Sequence, residues 1–324
     1  MYVRERSAGQ TPLKKNPGGP GFRAMALLEL SEHDDEERLT LAAETPKRPA
    51  LADVAASPWG QLRAEVERAA RLQRSLLPDV SRPIGPFRLT SFYRPCETLG
   101  GDLFDLTRRQ DCAVLLVSDV MGHGVEAALI AMVVKAAFQE TAEDTGEPGE
   151  LLARMSARLR RISPESMFVA AAAVRLELNG SDLQIANAGL PHPFVLRASE
   201  RRVDEVPLDG RPLGLLDGDG WGQHGACRLS LAPDDVLLIA SDGIGSVQSA
   251  RGEWFEDGRL RQVLAGLTGQ AGRSVIDHVV AEAVAFGQGG PLPDDVNLVA
   301  VSCDGNPNGA VEMINQGRTL HGNA

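Results

Sequence analysis

Short unbroken apolar runs and longer amphipathic ones alternate along this chain, and the difference between them predicts its elements. Residues 113–117, 237–240 and 296–301 are β-branched or leucine-rich stretches without a breaker, the composition of strands buried on both faces. Residues 87–93 and 167–178 read as further strands. Asn179-Gly180 is a strong hairpin turn that sends the chain back through 183–188, and residues 194–196 and 203–206 form another strand pair. Residues 125–142 are too long and too alanine-rich for a strand and apolar on most sides, which predicts a buried helix. Leu151, Leu152, Met155, Leu159 and Ile162 mark a second helix, amphipathic after the break at Gly146, Pro148 and Gly149. Val275, Ile276, Val279, Val280, Ala283 and Val284 mark a last one.

Strands come in hairpins and helices in pairs, without strict alternation. That pattern predicts an α+β fold, a sandwich of antiparallel sheets rather than a doubly wound one. Ahead of it, Leu62, Val66, Ala69, Gln73 and Leu76 fall at alternating spacings of four and three, a short heptad seam with one polar position. Such a seam packs on the following domain, pairs with a second copy, or does both. The expected organisation is a disordered tail over 1–57, a linker helix over 58–84, one domain over 85–303 and a flexible tail over 304–324.

Charge and cysteine content narrow the classes. A formal net charge of −11 argues against a nucleic-acid binder. No apolar run approaches the length of a membrane span. Residues 1–21 lack a secretory apolar core, and Cys96, Cys112, Cys227 and Cys303 form no C-x-x-C pair, so neither a zinc site nor a disulfide framework is suggested. A reduced, cytoplasmic protein is expected.

The candidate chemistry lies at the strand ends. Ser118-Asp119-Val120-Met121-Gly122-His123-Gly124 follows one apolar run, and Ser241-Asp242-Gly243 follows another. Asp294-Asp295 precedes a third, and Gly100-Gly101-Asp102-Leu103-Phe104-Asp105 adds two more acids after a glycine pair. Acids at four strand ends point to convergence on one site, and converging carboxylates need a cation. Oxygen donors suit Mg²⁺ or Mn²⁺. Such ions activate a water for in-line attack on a phosphoryl group, so no nucleophilic Ser or Cys is required. The chain has no G-x-x-x-x-G-K-[ST] and no G-x-S-x-G motif, which weakens NTPase, kinase and serine-hydrolase readings.

In chain order, from Gly100 to Asp295, those four motifs resemble the bacterial metal-dependent (PPM-type, protein phosphatase 2C-like) serine/threonine phosphatases. The nearer resemblance is to the branch of the sporulation stage II E phosphatase and the sigma-factor regulators. Gln73-Arg74-Ser75-Leu76-Leu77-Pro78, Asn187-Ala188-Gly189-Leu190-Pro191-His192-Pro193 and Pro212-Leu213-Gly214 also look like that branch, so the resemblance spans residues 73–303. It implies two stacked sheets flanked by helices, with two Mn²⁺ or Mg²⁺ ions at one end. It implies Asp119 as a ligand shared by both ions, the Val120 carbonyl and Asp242 beside it, and Asp294 with Asp295 as neighbour. Asp102 is implied on the second ion, while Asp105 is either a further participant or a solvated turn acid. His123 is either a general acid or a structural histidine, His192 is structural, and Arg94 is a weak candidate for holding a substrate phosphate.

The implied substrate is a phosphorylated anti-sigma-factor antagonist in a partner-switching pathway. The implied role of residues 59–77 is to carry signals into the site, with a homodimer through the seam as one route. A catalytically silent member that sequesters the phosphoprotein is the alternative, against which the intact acid set argues. A hydrolase of small phosphate esters is a third reading. Two departures stand out: Val120 replaces the glycine of distant eukaryotic relatives, and Asn297 stands where the branch usually has Thr.

Overall fold

The structure, a computed structural model, describes residues 57–78, 81–164, 167–215, 226–256 and 258–303. The two tails expected at the ends lie outside these residues, apart from Ser57. Two antiparallel sheets stack face to face. One has the order β1-β2-β11-β10-β7-β8 and the other β3-β4-β5-β6-β9. Their strands are β1 (Ser81–Ile84), β2 (Phe87–Arg94), β3 (Leu103–Arg108), β4 (Cys112–Val120), β5 (Val169–Glu177), β6 (Asp182–Ala188), β7 (Phe194–Arg197), β8 (Arg202–Glu205), β9 (Cys227–Ser230), β10 (Val236–Ala240) and β11 (Val296–Cys303). The α+β sandwich expected from the pattern is the observed fold.

Three layers of apolar side chains hold it together. Phe87, Leu89, Leu115, Val117, Leu237, Ile239, Val299 and Val301 meet between the sheets. The alternate residues of the central strands face outward. Val114, Leu116 and Ala173 pack under α2 (Gly124–Asp144) and α3 (Pro148–Ile162). Leu238, Leu298 and Ala300 pack under α4 (Arg259–Ala265) and α5 (Gly272–Phe286). Helices on both outer faces explain why β4 and β11 read as continuous apolar runs rather than alternating ones.

Several elements differ from the pattern's expectation. β1, β9 and α4 carry too few apolar residues to stand out: β1 buries only Ile84, β9 none, and α4 has seven residues. Residues 81–84, expected within the linker, form the edge strand of a sheet. The helix expected to be buried on most sides, α2, exposes Val125 and Leu129. Its small residues Ala127, Ala131 and Val134 face the sheet instead.

The linker helix, α1 (Pro58–Leu76), starts where Ser57 Oγ accepts a hydrogen bond from the Gly60 amide at 3.1 Å and Pro58 occupies the first turn. Its buried face is rotated from the expected seam. Val66, Ala70 and Gln73 face the domain, with Val66 and Ala70 against Leu99 and Ala128. Leu62, Ala69, Leu72 and Leu76 are exposed. Val66 and Ala70 make the contact with Leu99 and Ala128, and Leu62, Ala69 and Leu76 of the heptad seam face solvent.

Candidate metal centre

β4 and β10 end at the same edge of the sandwich where β3 and β11 begin. Strand periodicity aims the acids there. Phe104 and Leu106 point between the sheets, so Asp102 shares their side, and Asp119 follows Leu115 and Val117 on the same side of β4. Asp102 and Asp295 are buried, Asp119 and Asp294 half-buried, and Asp242 is exposed at the mouth.

The carboxylates crowd one another. Burial, then the charge of Asp119, holds the Asp102 carboxyl well above the usual range. Burial and the neighbouring Asp242 push Asp119 up to about 7. Burial and Asp294 raise Asp242. The opposing influences on these three are hydrogen bonds, from Ser241, from one another and from backbone, not Lys or Arg. Ser241 Oγ donates to Asp102 Oδ2 at 2.6 Å and accepts the backbone N–H of Asn297 at 3.0 Å, which orients the most buried acid. A cluster of oxygen donors whose charges are not offset by a basic side chain fits a hard divalent cation.

Asp294 and Asp295 divide their work. Asp295 is spent on backbone: Oδ1 accepts from the Cys96 amide at 2.8 Å and Oδ2 from the Gly101 amide at 2.6 Å. Among the described residues Asp294 accepts the Asp295 amide, at 2.8 Å on Oδ1, and no hydrogen bond reaches its Oδ2. Asp295 thus pins the loop that carries Asp102. Glycine is required there by close approach. A Cβ on Gly100 would fall 2.6 Å from Asp295 Oδ2, one on Gly101 3.0 Å from the Val120 carbonyl, and one on Gly243 1.8 Å from the Asp295 carbonyl.

Other expected participants stand apart. Asp105 faces away from the cluster and is held by Lys135 Nζ and Gln139 Nε2, each at 2.6 Å. His123 is the residue before α2, its ring half exposed and paired with Glu97 at 2.9 Å, not with the aspartates. Arg94 is exposed at the end of β2 and makes no ion pair among the described residues. His192 pairs with Glu205 at 3.1 Å.

Four residues to which the sequence assigned no part in the site also lie there. Cys96 Sγ lies within 4.8 Å of Asp294 and Asp295 oxygens, although no motif marked this cysteine. Burial and Asp295 push its thiol up to about 12, which keeps it protonated beside hard oxygen donors. Gln73 of α1 is buried against Gly100: its Nε2 donates to the Gly100 carbonyl at 2.7 Å, and its Oε1 accepts the Gly100 amide at 3.4 Å. Tyr93 and Asn297 lie side by side between the sheets, and the Tyr93 hydroxyl and both Asn297 amide atoms are buried without a hydrogen-bond partner. Parity along β2 and β11 would have placed both; nothing in the sequence announces the pairing of Gln73 with Gly100.

The fold and the acid cluster define the class, a PPM-type protein serine/threonine phosphatase. Residues 109–304 match the profile of the family described as stage II sporulation protein E (SpoIIE), and the chain belongs to that family. It is 20% identical to the phosphoserine phosphatase RsbU of Bacillus subtilis, over 74% of this chain and 70% of that one. It is 24% identical to the phosphoserine phosphatase RsbP of the same organism, over 56% of this chain but only 45% of RsbP. Among solved structures, the SiaA-PP2C domain of Pseudomonas aeruginosa superposes with a TM-score of 0.67 at 23% identity, covering 76% of this chain and 99% of that domain. The SpoIIE phosphatase domain of Bacillus subtilis, solved with a fragment of its regulatory domain, gives 0.58 at 16% identity, covering 67% and 63%.

Proposed function

We propose that this chain hydrolyses phosphoserine or phosphothreonine on a regulatory protein, using two Mn²⁺ or Mg²⁺ ions at the cluster of Asp102, Asp119, Asp242 and Asp294. The observation that carries this reading is the set of mutually repelling carboxylates, from the buried Asp102 to Asp242 at the mouth, with no basic side chain among the described residues to offset them. Asp119 bridges the two halves of the cluster, with the Val120 carbonyl beside it. When bound, the ions would supply an activated water and neutralise the charge that develops on the phosphoryl oxygens. Asp295 and Ser241 position the ligands and do not hold the ions themselves.

The names of RsbU and RsbP support phosphoserine as the substrate group. An anti-sigma-factor antagonist in a partner-switching pathway is the substrate this reading favours, and the cytoplasm its place. Among the described residues no helix is long and apolar enough to cross a membrane. Regulation enters through α1, which touches the site at Gly100 through Gln73 and leaves Trp59, Leu62, Leu72 and Leu76 exposed for a second copy. The test is phosphate release from a phosphoserine peptide with and without Mn²⁺, for the wild type and for Asp242→Asn. Release that needs the metal and disappears in the variant supports the reading. Binding of the phosphopeptide without release, with metal in excess, favours a silent sequestering protein.

A further inference from the structure

A groove of about 460 Å³ opens beside the metal centre, with Ser241 and Asp242 at one end. It runs over the ends of β7 and β10 toward α4. Phe194, Ile244, Leu260 and Leu298 give it an apolar floor, and Glu205, Glu256 and Arg261 stand on its rim. The rim charges are unequal in their company. Glu205 is paired twice, with His192 at 3.1 Å and with Arg261 at 3.6 Å. Glu256 is exposed, and its carboxylate has no hydrogen-bond or ion-pair partner among the described residues.

Glu256 also lies near Asp242 in the fold. It lies over Gly245, where a Cβ would meet Glu256 Oε2 at 2.9 Å and the Asp242 carbonyl at 3.4 Å. The groove therefore joins an apolar trough to an unpaired negative charge, and both begin at a proposed metal ligand. A phosphoserine held at the aspartates must send its polypeptide out along some surface. An apolar trough takes one neighbouring side chain, and a free carboxylate selects a positive one.

We propose that this groove binds the substrate polypeptide on one side of the phosphorylated residue, seating an apolar side chain on Phe194, Ile244 and Leu260 and a lysine or arginine on Glu256. The inference rests on the phosphatase reading and adds to it a sequence preference in the substrate. Glu256 is the specificity-determining residue, and its charge, rather than its bulk, does the selecting.

The experiment is fluorescence anisotropy on the full chain with Mn²⁺, using labelled phosphoserine peptides that carry Lys or Glu at one flanking position at a time. The wild type is expected to bind the Lys peptide roughly two- to fivefold more tightly than its Glu counterpart at one position, the size of an exposed ion pair. Glu256→Lys should invert that preference at the same position, and Glu256→Gln should erase it. A preference that survives Glu256→Lys overturns the proposal, as does the absence of any positional preference or of peptide binding. Phosphate release, followed in parallel, separates the two readings. Inverted preference without release keeps the groove and removes the phosphatase, whereas metal-dependent release without preference does the opposite.

Discussion

At the residue scale, Asp102 and Asp105 show how little separates an acid of the cluster from a structural acid. They sit three residues apart at the start of β3, and an odd spacing in a strand reverses the face. Asp102 joins Asp119 and Ser241, while Asp105 joins Lys135 and Gln139 under α2. The parity of Phe104 and Leu106 contains that answer, but only once it is known which face meets the other sheet. Asp119→Asn should lower Mn²⁺-dependent kcat/KM roughly 100-fold or more, since even the groups that merely orient metal ligands are worth 10- to 100-fold. Asp105→Asn should instead lower stability by about 3 kcal/mol, by leaving Lys135 without its partner in a largely buried site, with the Mn²⁺ half-saturation point unchanged. Chemical denaturation and metal titration of both variants check this contrast. Equal metal dependence in the two would remove the distinction.

At the element scale, the long buried strands were legible and the short edge elements were not. β4 and β11 announce themselves because helices cover their outer faces and both sides must be apolar. β1 and β9 pair at or near sheet edges with one buried residue between them, so their pairing is set by neighbours and not by composition. The face of α1 that meets the domain is likewise set by its neighbours. Heptad spacing picks out Leu62 and Leu76, yet the domain offers the small Leu99–Ala128 surface, which Ala70 and Val66 fit more closely. That packing presses Gln73 onto Gly100, one residue from the amide that Asp295 holds. α1 therefore bears on the position of Asp102 through two successive peptide units. Gln73→Ala should cost about 1 to 3 kcal/mol, the range for a buried partner left unsatisfied. It should also raise the Mn²⁺ concentration for half-maximal activity by roughly 10-fold, the range for groups that orient ligands. Isothermal titration with Mn²⁺ separates the two effects, because loss of stability alone leaves the affinity of the folded protein unchanged. Glutamate at Leu62 and Leu76, both exposed, should leave that affinity intact and reduce any dimer to monomer in light scattering.

At the scale of the whole molecule, the sandwich gathers negative charge at one end. Two sheets and two outer helix layers fix four strand ends, and the fold sets Asp102, Asp119, Asp242 and Asp294 together whether or not a cation is present. This gives stability a definite sign with pH. An aspartate in the unfolded chain titrates near 3.9, while Asp119 in the folded chain is pushed up to about 7. Between those values the folded protein holds a proton that the unfolded chain has released. Metal-free stability is therefore greatest below the lower value and is lost as pH rises through the upper one. Binding a divalent ion requires that proton to leave, so metal affinity climbs over the same window. Melting temperature in EDTA is expected to fall between about pH 5.5 and pH 8, and the rise on adding Mn²⁺ should be larger at the upper end. Asp119→Asn removes the titrating group and should flatten the EDTA profile relative to wild type, even as it weakens the response to Mn²⁺. If the two proteins trace parallel EDTA profiles, the slope comes from charges elsewhere in a chain of net charge −11, and the aspartate end is not the part of the fold that opposes its own assembly.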